Sequence, residues 1–125
     1  MEKFIKLKED MNNHALQQYP KECVGIITND FCYIPCLNLS NSPNITFFLD
    51  PAALVKYDGN IWGVFHSHPG SDNPIPSSED KTSAAFQEYK FLVGFNSNFF
   101  IYWYDKNIDA LKFDRFGEEH LVSNL

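Results

Sequence analysis

The chain is 125 residues long, a length suited to one domain, and 44% of it is apolar, including 12 phenylalanines, so it can bury a substantial core. A net charge of -6 without any Lys/Arg cluster argues against a nucleic-acid-binding surface. No apolar stretch approaches the ~20 residues that a membrane-spanning helix needs, and MEKFIKLKED lacks the apolar core of a secretory signal. With no such signal, the odd set Cys23, Cys32 and Cys36 reads as reduced thiols in a cytosol.

Residues 4–18 carry Phe4, Leu7, Met11 and Leu16 near one face, with the alkyl part of Lys8, and read as an amphipathic helix. Pro20 ends it, and His14 within it reads as a surface residue. Cys23 to Thr28 is short, apolar and β-branched, hence a buried strand opened by Glu22. The turn signal Asn29-Asp30 pairs it with Phe31 to Leu37 as a hairpin. Asn38 to Asn44 is a loop and Ile45 to Leu49 a further strand. Asp50-Pro51 supplies an N-cap and a first helical residue for a short helix that ends by Asp58-Gly59. Ile61 to Phe65 is a buried strand that runs into His66-Ser67-His68-Pro69. Pro69, Gly70, Pro74 and Pro76 lie in a loop stiffened by fixed φ angles. Ser77 or Ser78 caps the next helix, which includes Ala84, Ala85, Phe86 and Tyr89. Leu92 to Phe95, Phe99 to Tyr104 and Ile108 to Phe116 read as strands, and Glu118 to Leu125 as a fraying tail with His120 a bystander. The aromatic run Phe99 to Tyr104 either fills the core or forms a subunit interface.

Chemistry concentrates between His66 and Asp80. On a strand, side chains alternate faces, so His66 and His68 point the same way and both can reach one metal ion. Asp80 can bring a carboxylate to the same ion from the start of the next element. Two histidines and one carboxylate leave the fourth tetrahedral position of zinc open, the pattern of catalytic rather than structural sites. Glu22 opens a strand of the same sheet and is a candidate general base. Ser77 is a candidate donor to a developing oxyanion, with Ser78 free to cap the helix in its place.

His66-Ser67-His68-Pro69, six residues, then Pro76-Ser77-Ser78-Glu79-Asp80 resembles the JAMM motif of the JAB1/MPN/Mov34 metalloproteases. Tyr19 to Ile26 resembles the segment that supplies the glutamate in that family, and the likeness spans roughly Met11 to Tyr104. Tyr33 to Leu39 and Phe47 to Pro51 look closest to the N-terminal domain of tail-tip assembly proteins of lambda-like phages, which continue into a cysteine peptidase domain. The resemblance implies one α+β domain over residues 1–125, a mixed β-sheet flanked by helices. It implies zinc held by His66, His68 and Asp80, with Glu22 as general acid/base and Ser77 at the oxyanion. The implied activity is hydrolysis of a peptide or isopeptide bond, in phage tail assembly or in processing a ubiquitin-like protein. The implied location is the cytoplasm of a bacterial host, or the virion for a tail component. The alternative is a metal-stabilised structural or interaction module of a phage tail.

Overall fold

In a computed structural model of the chain, residues 1–122 are described; the last three residues of the expected fraying tail lie outside them. One six-stranded sheet runs through the molecule in the order β2-β1-β3-β4-β5-β6. The first helix, α1, spans Glu2–Gln18. Its buried residues are Leu7, Met11, His14 and Ala15, while Leu16 is half exposed. The expected face is therefore rotated: Leu7, Met11, His14 and Ala15 follow the helical period, and Leu16 falls about 180° round α1 from Leu7. His14 is buried rather than on the surface, and its Nδ1 lies 2.6 Å from the Tyr33 hydroxyl.

Strands β1 (Val24–Ile27) and β2 (Tyr33–Cys36) form the expected antiparallel hairpin. β2 is an edge strand, which is why Pro35 is tolerated there. Gly25 faces the Tyr33 ring, and a Cβ at Gly25 would sit 2.3 Å from the phenol. β1 also pairs antiparallel with β3 (Gly63–Ser67), with Val24 opposite His66. β3 then pairs in parallel with β4 (Lys90–Phe95), so the chain must cross over between them. That crossover holds the proline-rich loop and helix α3 (Ser78–Ala84). β5 (Asn98–Asp105) and β6 (Ala110–Arg115) complete the sheet as antiparallel neighbours, and Glu118–Leu121 forms a 3-10 turn where a frayed tail was expected.

The period of two along the strands sorts the core into two layers. Leu7, Met11, Phe65, Leu92, Phe99 and Ile101 pack under α1. Val24, Val64, Ala84, Phe91, Phe100 and Tyr102 pack on the α3 side. The aromatic run in β5 therefore contributes to both layers, with Phe99, Phe100, Ile101 and Tyr102 buried and Trp103 and Tyr104 half-buried.

Two expectations are corrected. Ile45 to Leu49 is not a strand; it is irregular apart from one isolated bridge between Leu49 and Asn38. Its apolar residues line a cavity instead of joining the sheet. The helix after the proline-rich loop stops at Ala84, and Phe86 beyond it is largely exposed. Helix α2 (Pro51–Lys56) starts as anticipated, with the Asp50 side chain accepting from the Ala52 N–H at 2.9 Å.

Candidate metal centre

β3 is buried along its whole length, and its alternation sends Val64 and His66 to the α3 face and Phe65 and Ser67 to the α1 face. His68, one residue past the strand, is held by its N–H to the Gly94 carbonyl at 3.1 Å and shares the face of His66. The two Nε2 atoms are 3.2 Å apart. Asp80 Oδ2 is 3.2 Å from each of them. Ligands at about 2.0–2.2 Å around a tetrahedral zinc lie about 3.3–3.5 Å from one another, so this nearly equilateral triangle matches a zinc-sized ion in size and in donor type. His66 Nδ1 is buried without a hydrogen-bond partner among the described residues. This departs from the usual arrangement, in which the second ring nitrogen of a metal-binding histidine donates to an oxygen, and it leaves Nε2 as the atom through which His66 acts. The Phe47 ring stacks on the His66 ring at 4.4 Å.

Asp80 reaches the triangle because it is the third residue of α3. Ser77 is the N-cap: its Oγ accepts from the Asp80 N–H at 3.1 Å, and Asp80 Oδ2 accepts from the Ser77 N–H at 2.9 Å. Ser78 is the first helical residue, so the expectation that Ser78 caps in place of Ser77 is overturned. Capping still leaves the Ser77 hydroxyl its proton, because a hydroxyl accepts through lone pairs and donates separately. Ser77 lines the cavity described below.

Glu22 lies before β1, outside the ladder. Extending the register that sets Val24 opposite His66 by two residues places Glu22 opposite His68, on the same face. A Glu22 carboxylate oxygen and one ring nitrogen from each of His66 and His68 lie within 4.8 Å of one another. That grouping competes with the one containing Asp80, and the shorter Asp80 distances favour Asp80 as the third donor. The longer reach of Glu22 suits contact through one water. On the opposite face, Cys23 is bound to Ser67, with its N–H donating to Ser67 Oγ at 2.8 Å and its carbonyl accepting from the Ser67 N–H at 3.1 Å.

The local electrostatics follow from burial and mutual charge. Burial pushes the Glu22 carboxyl up to about 7, with the charge of His68 opposing and that of Asp80 reinforcing. Burial alone would raise Asp80, but hydrogen bonds from His66 and His68 overcome it and hold the group well below the usual carboxylate range. Burial lowers His66 against the pull of Asp80. For His68 burial also acts downward, and Asp80 and Glu22 outweigh it, so its pKa is raised. Tyr102, which lines the same cavity, is shifted upward by burial, with the charges of Asp80 and Glu22 reinforcing.

Glu22, His68, Ser77 and Asp80 line a cavity of about 950 Å³, with Ile45, Phe47 and Phe48 among the apolar residues of its wall. Among its lining residues there is no Lys or Arg. His120 instead bonds to Gly117 and Asp114, away from this cavity.

Residues 5–110 match the family of prokaryotic homologs of the JAB domain. The chain belongs to that family. This JAB-family chain is 37% identical over 73 residues to tail tip assembly protein K of Escherichia phage N15, a match that covers 54% of the chain and 30% of that protein. It is 29% identical over 87 residues to a desampylase of Haloferax volcanii, covering 59% of the chain and 62% of that protein. The matches thus span less than two thirds of either relative. No helix among the described residues is long and apolar enough to cross a membrane.

In the sequence, Asn38 carries a loop signal and Phe47 a strand signal, and both lie in the stretches that resemble the tail-tip proteins. Neither type of signal reports the tertiary neighbour that makes the residue matter.

Proposed function

We propose that this JAB-family chain is a zinc-dependent peptidase or isopeptidase. The observation that supports it is the triangle of His66 Nε2, His68 Nε2 and Asp80 Oδ2 with 3.2 Å sides, beside the Glu22 carboxylate in an open cavity. In this reading His66, His68 and Asp80 hold the ion. Zinc supplies Lewis-acid polarisation of the scissile carbonyl and acidification of water. Glu22 takes a proton from the attacking water on its carboxylate and passes it to the leaving amine. The Ser77 hydroxyl donates to the carbonyl oxygen as negative charge builds on it. The wall of Ile45, Phe47 and Phe48 receives the apolar part of a protein or peptide chain. Similarity to a desampylase favours an isopeptide bond to a ubiquitin-like protein as the substrate.

Similarity to a tail tip assembly protein favours a second reading, a metal-stabilised module of a phage tail that does no chemistry. Two measurements separate the readings. Elemental analysis of protein purified without added metal is expected to find about one zinc per chain, lost in His68→Ala. Incubation with ubiquitin-like conjugates and phage tail proteins is then expected to release a cleaved product from the zinc-loaded protein. Zinc without cleavage of either class supports the module, and no zinc uptake at all rejects both.

A further inference from the structure

Glu22 has no strand to hold it, since β1 begins at Val24. Its peptide group is gripped by the loop that follows β2. The Glu22 N–H donates to the Pro43 carbonyl at 2.7 Å, and the Glu22 carbonyl accepts from Asn38 Nδ2 at 2.9 Å. The same Nδ2 donates to the Thr46 carbonyl at 3.0 Å and lies 3.5 Å from that of Pro43. On its other side, Asn38 Oδ1 accepts from the Ser40 N–H and the Phe48 N–H, each at 3.0 Å. Carbonyls face the nitrogen and N–H groups face the oxygen, so the amide orientation is fixed by its surroundings. Thr46 and Phe48 flank Phe47, whose ring stacks on His66. One side chain therefore ties together the backbone of the candidate base, the aromatic wall of the cavity and the ring that covers a candidate metal ligand.

We propose that Asn38 is a positioning residue that locks the 44–48 wall onto Glu22, so that the base and the substrate groove move as one unit. Its catalytic consequence rests on the peptidase reading above; its structural consequence does not. An irregular loop must satisfy its backbone groups without a ladder, and here a short amide with both a donor and an acceptor end does so. Aspartate keeps the acceptor and loses the donor. Glutamine adds a methylene and cannot meet both sets at once. A displacement of about 1 Å in a reacting group is enough to cost about a hundredfold in rate, so the donor arm to Glu22 is the part that matters for turnover.

The test is amide hydrogen exchange and steady-state kinetics on zinc-loaded wild type, Asn38→Ala and Asn38→Asp. In Asn38→Ala, protection is expected to fall at the Glu22 and Phe48 amides while β1 and β3 amides keep theirs. In Asn38→Asp, protection at Phe48 is expected to survive, while that at Glu22, whose N–H bonds to Pro43, is expected to fall because the carbonyls of Thr46 and Pro43 lose the donor that holds their loop in place. Both variants should retain the wild-type metal content and lose about tenfold or more in kcat. KM should rise more in Asn38→Ala, which frees both Thr46 and Phe48, than in Asn38→Asp, which frees Thr46 alone. That split distinguishes placement of the base from general support of the fold. Protection at Glu22 unchanged in Asn38→Asp, wild-type kcat in both variants, or a uniform loss of protection across the sheet would each overturn the proposal. If the wild type cleaves nothing, the peptidase reading fails, and the exchange pattern alone decides the role of Asn38.

Discussion

Replacing Glu22 by Gln tests the chemistry most directly. The two side chains have the same shape, and the Glu22 backbone is held by Pro43 and Asn38 independently of its side chain, so the carboxamide should occupy the site of the carboxylate. Glu22 is only 6% exposed and burial disfavours its charge, so a neutral amide there should not destabilise the fold. The unfolding temperature is expected to equal or exceed that of the wild type. Metal content should not change, because the closest donors are His66, His68 and Asp80. What the variant loses is proton transfer, which contributes about 10²–10⁴-fold to such reactions. That range corresponds to about 3–5 kcal/mol of barrier. The assay is steady-state cleavage of a ubiquitin-like isopeptide conjugate, with elemental analysis and thermal melting on the same samples. A variant that binds zinc, melts normally and keeps more than about a tenth of wild-type kcat would refute the role given to Glu22.

Asp80→Ala removes a donor from the triangle and half of the cap on α3, so zinc content should drop to background and stability should fall by about 1 kcal/mol; undiminished zinc would shift the third ligand to Glu22. Gly25→Ala drives a methyl into the Tyr33 phenol, which is bonded to His14, and overpacking plus a lost hydrogen bond should cost about 2–4 kcal/mol in urea unfolding. A change below about 0.5 kcal/mol would mean that Tyr33 can move freely. His14 is held below its ordinary pKa of 6.5 by burial, so as pH falls the unfolded chain takes up this proton first. Stability from His14 is therefore complete above pH 6.5 and lost as pH falls through its lower folded value. Between about pH 7.5 and pH 5.5 the urea midpoint of wild type should drop more than that of His14→Asn, and equal drops would contradict the burial argument.

Much of this protein can be read from local pattern, because some geometry follows from chain periodicity alone. The two-residue spacing of His66 and His68 puts both rings on one face whatever the rest of the strand does. Asp50-Pro51 starts a helix through contacts two residues away. The hairpin of β1 and β2 follows from a short turn between two apolar runs. Ser77-x-x-Asp80 closes a capping box within four residues, although which serine caps depends on where the preceding loop delivers the chain. In each of these the partners are near neighbours, so the sequence carries both halves of the interaction.

The tertiary structure decided the rest, and the physical reason is distance along the chain. Glu22 meets His68 only through the register of β1 on β3, which pairs residues 36 to 42 apart in sequence. His14 looks like a surface residue until the Tyr33 hydroxyl is placed against it. Ile45 to Leu49 has the composition of a strand, but its only ladder contact is the bridge at Leu49, and the segment became a cavity wall organised by Asn38. Local pattern determined which side chains could do chemistry; long-range pairing and packing determined which of them stand together.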